Sequence, residues 1–141
     1  MKILVAVDGS PYTQKALAYL SANRTMLAQG SDLVLVHVST GLPHNVTRHV
    51  TKDVVDAHYA EEAAKVLDPV KTYLDEQGVT GFGVQVRHGH TAEQIVEAAK
   101  EAGAGLIVMG THGHGMFGRA LMGSVATKVI AESPVSVLLV K

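Results

Sequence analysis

The sequence predicts an α/β three-layer sandwich with a five-stranded parallel sheet. Strand-length runs rich in Val, Ile and Leu alternate with helical segments along the 141-residue chain. This order is typical of a sheet that carries helices on both faces. Most of the runs are continuously apolar, as expected for strands that are buried on both sides. The runs are residues 2–8, 32–38, 82–88, 105–110 and 135–140.

The third and last strands are the predicted edges of the sheet. Apolar and polar residues alternate from Phe82 to Arg87, so one face of this strand is expected to contact water. The last run, 135–140, is uncharged before Lys141. At an edge it would be unprotected, and the same strand of a second copy would satisfy its backbone in a two-fold dimer. An interior position is the alternative.

The first two helices have recognisable ends. Ser10 and Pro11 fit the N-cap and the first helical position of helix one, whose apolar face extends to Leu27. Helix two is predicted over 52–77, with Gly78 as its stop.

The last two helices are predicted in the carboxyl-terminal third of the chain. Thr91 and Gln94 form the T-x-x-Q pattern of a capping box at the start of helix three. Helix four begins either near Phe117 or at Gly123, and it ends before Pro134. A glycine inside a helix costs about 1 kcal/mol relative to alanine, which favours the later start.

Composition limits the classes of partner. With 12 Lys and Arg against 13 Asp and Glu, the net charge of −1 offers no electrostatic footprint for nucleic acid or an acidic membrane, and we expect neither. The chain has no cysteine and so no disulfide framework or thiol nucleophile. The first apolar run is too short for a secretory signal, and we expect a cytoplasmic location.

Five glycines lie between residues 110 and 123, and part of this segment fits a dinucleotide fingerprint. "GHGMFG", residues 113–118, has the spacing G-x-G-x-x-G. That fingerprint belongs after the first strand of a βαβ unit, whereas here it follows the fourth strand. A P-loop is excluded because no glycine in the chain precedes a lysine.

We interpret these glycines as a loop that binds phosphates. Gly110 closes the fourth strand and Gly113 lies in the turn beyond it, where missing side chains let a ligand approach the backbone. If the last helix begins at Gly123, Ser124 and Val125 offer free amides and a hydroxyl to an anion.

The same residues carry a family resemblance. Gly110, Gly113, Gly123 and Ser124 match the spacing G-x2-G-x9-G-[ST], and the chain resembles the ATP-binding members of the universal stress protein family. "ILVAVDGS", "LVLVHV" and "ESPVSVLLV" are also similar to that family. The resemblance covers residues 1–141 as one universal stress protein domain. It implies an adenine nucleotide alpha hydrolase-like fold of strand order 3-2-1-4-5 and a homodimer formed through the last strand.

The resemblance also implies a site for ATP. Mg²⁺ would accompany the nucleotide, and no metal ligand or catalytic residue of the chain is implied. The adenine would contact Ala6, Val7 and Val38, the ribose would contact Asp8, and the phosphates would lie on the glycine loop. The residues implied to bind the nucleotide are Ala6, Val7, Asp8, Val38, Met109, Gly110, Gly113, His114, Gly123, Ser124 and Val125.

Other interpretations of single residues stay open. Besides a ribose contact, Asp8 fits a magnesium contact, a structural turn or a phospho-acceptor, although no carboxylate ends the third strand, where a response regulator would need an acidic pocket. Arg119 fits either a γ-phosphate contact or an exposed helix start. Residues 41–50 fit either a lid or a plain surface loop. His37, inside an apolar strand, is expected to be a hydrogen-bonded core histidine.

Eight histidines in this chain raise the question of a metal. The pairs His88 and His90, and His112 and His114, follow the ends of strands and would need Asp8 or a glutamate to complete a zinc site. Solvated loop histidines that bind phosphate or water are the alternative that we favour.

Three functional hypotheses follow. The first is a dimeric, ATP-binding universal stress protein that regulates a partner, with at most slow hydrolysis because no general base is evident. The second is a small enzyme that activates a substrate with ATP, although the chain leaves little room for an acceptor domain. The third is a structural dimer without nucleotide.

Overall fold

The computed structural model describes residues 1–26, 32–41, 44–112 and 122–141. Strands alternate with helices along the chain, apart from one short additional helix and a 3-10 turn. The elements are β1 (Ile3–Ala6), α1 (Pro11–Ala22), the 3-10 turn Arg24–Met26, β2 (Leu33–Ser39), α2 (His44–Thr47), α3 (Lys52–Glu76), β3 (Gly83–His88), α4 (Thr91–Ala102), β4 (Leu106–Gly110), α5 (Ser124–Glu132) and β5 (Ser136–Val140).

The five strands form one parallel sheet in the order β3-β2-β1-β4-β5. The predicted fold class is therefore confirmed, and so are the edge positions of β3 and β5. In the centre of the sheet, Val5 pairs with Leu35 on one side and Val108 on the other. All three of these side chains are buried, as expected for strands covered on both faces.

The sheet separates two hydrophobic cores. One face packs against α1 and α3, with Leu17 and Leu67 among its buried residues. The other packs against α4 and α5, with Ile95 and Val129 among its buried residues. Each such side chain contributes about 1.5–3 kcal/mol when fully buried, so the cores fix the helices relative to the strand ends.

The start of α4 differs from the predicted capping box. Thr91 is the first helical residue, and the N-cap is His90, whose side chain makes no capping hydrogen bond. The Gln94 Oε1 instead accepts a hydrogen bond of 2.8 Å from Arg87 Nε. The predicted capping box was therefore wrong, because Gln94 forms its hydrogen bond with Arg87 of β3 instead of with the backbone at the start of the helix.

The predicted starts of the other helices hold to within a residue, but α1 ends at Ala22, short of the predicted extent to Leu27, because a 3-10 turn follows at Arg24–Met26. Pro11 is the first residue of α1 and Ser10 is its N-cap, although the Ser10 side chain makes no capping bond. Gly123 is the N-cap of α5, which agrees with the later of the two predicted starts. Leu27 and Phe117 lie outside the described residues. None of the described helices is long and apolar enough to cross a membrane.

The edge strand β3 exposes its apolar face. Val84 and Val86 are 37% and 45% exposed, whereas Arg87 is held against α4 by a 2.7 Å ion pair with Glu101 Oε2. The hydrogen bond from Arg87, and then its charge, hold the pKa of Glu101 below its ordinary value. The prediction that one face of this strand contacts water is therefore confirmed. The exposed face is the one that carries Val84 and Val86, because α4 covers the face that carries Arg87.

Candidate functional site

A cavity of about 600 Å³ opens at the carboxyl ends of β1, β2 and β4. It lies where the strand order reverses, with β2 on one side of β1 and β4 on the other. Open α/β sheets bind ligands at this switch point, and the volume suits a small molecule. The amino-terminal end of α5 closes one side, and residues of α3 and α4 line the rest.

Most of the residues that the sequence suggested for a nucleotide line this one cavity. Nine of them contribute to its wall: Ala6, Val7, Asp8, Val38, Met109, Gly110, Gly123, Ser124 and Val125. Gly113 and His114 lie outside the described residues, as does Arg119. Strand order and helix starts thus bring together residues from four separate parts of the chain.

Asp8 forms the turn between β1 and α1. Its Oδ1 accepts hydrogen bonds from the Ser10 amide at 2.9 Å and from Thr13 Oγ1 at 2.8 Å. The Asp8 amide in turn donates to Thr13 Oγ1 at 3.0 Å. Asp8 therefore has the structural role that was one of its interpretations, and it also lines the cavity.

Thr111 fixes the end of β4 relative to α5. Its amide donates to Val140 O at 3.0 Å, and its carbonyl accepts from the Gly123 amide at 2.7 Å. These bonds hold the N-cap of α5 beside the end of the sheet. The N-cap Gly123 has no side chain, and no side chain of the described residues caps α5, so the amides at Ser124 and Val125 can donate to a ligand.

The α3 side of the cavity adds polar residues that sequence reasoning missed. Ser39 Oγ donates a long hydrogen bond of 3.4 Å to Glu62 Oε2, and Lys65 lines the wall one helical turn further on. Nothing in the local sequence of α3 marks these residues. They reach the cavity because α3 packs along β2, a long-range contact. Thr13, the partner of Asp8, was missed as well.

The described wall is close to electrically balanced. Its charged side chains are those of Asp8, Glu62 and Lys65. Such a wall does not attract a polyanion by net charge. An anionic ligand would therefore depend on backbone amides and on a counter-ion.

The histidines occupy separate surroundings in the described structure. His88 packs on the Tyr59 ring with 4.2 Å between ring centroids, and His90 occupies the N-cap position of α4 without a side-chain capping bond. His112 stacks near Tyr12 at 4.9 Å and lines the cavity. Within the described ranges, no group of three or more His, Asp or Glu residues could hold a metal ion.

His37 is buried, and its Nδ1 lies 3.0 Å from Val7 O. This contact agrees with the prediction of a hydrogen-bonded histidine inside the sheet. The ring also borders the cavity, which the sequence did not indicate.

The fold and cavity define an open parallel α/β protein with a ligand-sized pocket at the switch point of its sheet. The sequence model of the universal stress protein family matches residues 1–141, and the chain belongs to that family. A Thermus aquaticus relative, "Universal stress protein in QAH/OAS sulfhydrylase 3'region", is 35% identical over 144 residues, which are 99% of this chain and 97% of the relative.

Solved structures agree with this assignment. Protein MJ0577 of Methanocaldococcus jannaschii is 30% identical with a TM-score of 0.78, and the match covers 99% of this chain and 94% of that one. An Archaeoglobus fulgidus universal stress protein solved with dAMP has a TM-score of 0.69 at 22% identity, with 100% and 98% of the two chains covered. A universal stress protein solved with cAMP has a TM-score of 0.71 at 21% identity, with 100% and 97% covered. Two of these structural neighbours were therefore solved with a bound nucleotide.

Proposed function

We propose that this universal stress protein binds an adenine nucleotide, ATP with Mg²⁺, in the cavity at the switch point. The observation that carries the proposal is that one cavity joins an apolar wall at the strand ends to the start of α5, whose N-cap is a glycine. A nucleotide has the same two parts, an apolar base and a chain of anionic phosphates. The dAMP and cAMP complexes of structural neighbours support this ligand class.

The base end would be the apolar part of the wall. Ala6, Val38 and Met109 border it, and Met109 is buried. Small-molecule sites are mostly apolar with a few placed polar groups, and a purine fits that description. Asp8 lies just after β1, next to Val7, and its carboxylate would accept a hydrogen bond from a ribose hydroxyl.

The phosphate end would be the start of α5. Helix amino termini bind anions through free amides and the helix dipole, and here Ser124 adds a hydroxyl. The roles proposed for Gly113 and His114 concern residues outside the described ranges. Because Mg²⁺ is usually held by phosphates together with one or two carboxylates, it would arrive with the nucleotide, and Asp8 and Glu62 are the carboxylates of the described cavity wall.

The nucleotide would regulate a protein partner rather than be turned over rapidly. We propose that residues 1–141 act as one domain, in the cytoplasm, as a homodimer joined through β5. Two alternatives are a small enzyme that uses ATP and a structural dimer that binds no nucleotide. Sustained ATP consumption with an acceptor would favour the first alternative, and a cavity that takes no nucleotide would favour the second.

Calorimetric titration tests the proposal. The full chain is titrated with ATP, AMP and cyclic AMP in the presence of Mg²⁺, alongside the Gly123→Val variant. Gly123 has φ −72° and ψ 158°, an extended conformation that valine accepts, so the variant should fold. Its side chain would obstruct the phosphates, and we expect at least a tenfold loss of ATP affinity, equivalent to about 1.4 kcal/mol.

Ala131→Val is the matched control. Ala131 is exposed near the other end of α5, so this variant adds a β-branched residue to the same helix away from the cavity. Its ATP affinity should equal that of the wild type. The proposal fails if the wild-type protein binds none of the three nucleotides, or if both variants bind ATP equally well.

A further inference from the structure

His37 presents a buried ring whose tautomer the fold determines. The residue is 8% exposed, and its Nδ1 lies 3.0 Å from the carbonyl oxygen of Val7. A carbonyl oxygen only accepts hydrogen bonds, so the proton of this bond must be on Nδ1. In the neutral ring, Nε2 then carries a lone pair and acts as an acceptor.

The remaining ring nitrogen is available to a ligand. Within the described part of the chain, no hydrogen bond to Nε2 is present, and His37 is one of the residues that line the cavity. Two other polar groups of the same wall are bonded to each other, because Ser39 Oγ donates to Glu62 Oε2. A ring acceptor at the cavity wall can therefore pair with a donor group of the molecule that fills the cavity.

We propose that His37 is the residue that selects the base, by accepting a hydrogen bond at Nε2 from the exocyclic amino group of a 6-aminopurine. This inference rests on the proposed function. His37 contacts Val7, one of the residues assigned to the base, and lines the same cavity as Val38. A 6-oxopurine would direct an oxygen lone pair at the lone pair of Nε2, so hypoxanthine and guanine nucleotides would be rejected.

The proposed selection for a 6-aminopurine is tested with two nucleotides and one variant. The dissociation constants of ATP and ITP, both with Mg²⁺, are measured for the wild type and for His37→Asn. The asparagine Nδ2 can keep the hydrogen bond to Val7 O, but it places nothing at the position of Nε2. We expect the wild type to favour ATP by about tenfold or more, and the variant to bind both nucleotides with similar affinity.

Ser39→Ala is the matched control, since it removes a hydroxyl from the same wall and leaves the His37 ring intact. It should keep the preference for ATP. If His37→Asn also keeps that preference, the inference is wrong while the proposed nucleotide site stands. If neither nucleotide binds the wild type, the proposed function fails, and the inference fails with it.

Nitrogen-15 NMR of the imidazole gives a readout that needs no variant. The free protein should show His37 with its proton on Nδ1 and an unprotonated Nε2. ATP should shift the Nε2 resonance as its lone pair becomes hydrogen-bonded, whereas a purely structural histidine would show no such change. A proton on Nε2 at neutral pH, or an Nε2 signal unmoved by saturating ATP, would overturn the assignment.

Discussion

Gly110 lies where α1 packs against the end of β4, and the packing there leaves no room for a side chain. A Cβ at this position would overlap the Cβ of Tyr12 and lie 3.2 Å from the carbonyl oxygen of His112. Neither atom is the movable end of a side chain. We expect Gly110→Ala to lower the free energy of unfolding by about 1–3 kcal/mol, as measured by urea denaturation.

Gly83→Ala is the control for this prediction. A Cβ on Gly83 would meet the two Val34 methyl groups at 3.7 and 3.9 Å, ordinary van der Waals distances. Alanine also loses less backbone entropy than glycine on folding, so this variant should be as stable as the wild type or slightly more so. Equal destabilisation by both substitutions would contradict the packing explanation.

Single residues of the site were predictable when a local pattern marked them. The spacing of Gly110, Gly123 and Ser124 lies within one stretch of sequence, and all three line the cavity. Glu62 and Lys65 were not predictable, because on an amphipathic helix they look like ordinary exposed residues. What brings them to the cavity is the packing of α3 on β2, which depends on contacts between distant parts of the chain.

Among the elements, β3 is tied to α4 by an ion pair whose strength should depend on pH. Arg87 lowers the pKa of Glu101 below its ordinary value of 4.5. A group with a lowered folded-state pKa contributes stability that is complete above the unfolded-state pKa and is lost as the pH falls through the folded-state value. We therefore expect Arg87→Met to be less stable than the wild type at pH 7, with the difference shrinking below pH 4.5.

Urea unfolding between pH 7 and pH 3 measures this difference. Glu101→Gln serves as the control, since it keeps a hydrogen-bond acceptor near Arg87 but does not titrate. When Arg87→Met is introduced into the Glu101→Gln variant, the resulting loss of stability should therefore vary less with pH than it does in the wild type. A difference between wild type and Arg87→Met that stays constant down to pH 3 would exclude Glu101 as the titrating partner.

The elements were predictable in position and less so in their ends. Four of the five strands lie within the apolar runs that predicted them, and β2 extends one residue beyond its run to Ser39. The start of α4 was missed by one residue because Gln94 bonds to Arg87 rather than to the helix backbone. Such a competition between side chains of different elements leaves no periodic signal in the sequence.

For the whole molecule, the outer edge of β5, the last strand of the sheet, is the surface that we propose to join two copies. Thr111 N donates to Val140 O at 3.0 Å, so the backbone groups of Val140 point toward β4. Because these groups alternate in direction along a strand, those of Val137 and Leu139 point away from the sheet. Their N–H groups are the donors that a second copy would use.

Leu139→Pro tests that interface, because proline removes one outward N–H while leaving the inward bonds to β4 in place. We expect the wild type to elute as a dimer in size-exclusion chromatography with light scattering, and the variant to dissociate at micromolar concentration. Leu139→Ala shortens the same side chain but keeps the N–H, so it should remain dimeric. If the proline variant is folded by circular dichroism and still dimeric, the copies associate through another surface; if both variants are monomers, side-chain packing rather than backbone pairing holds the dimer.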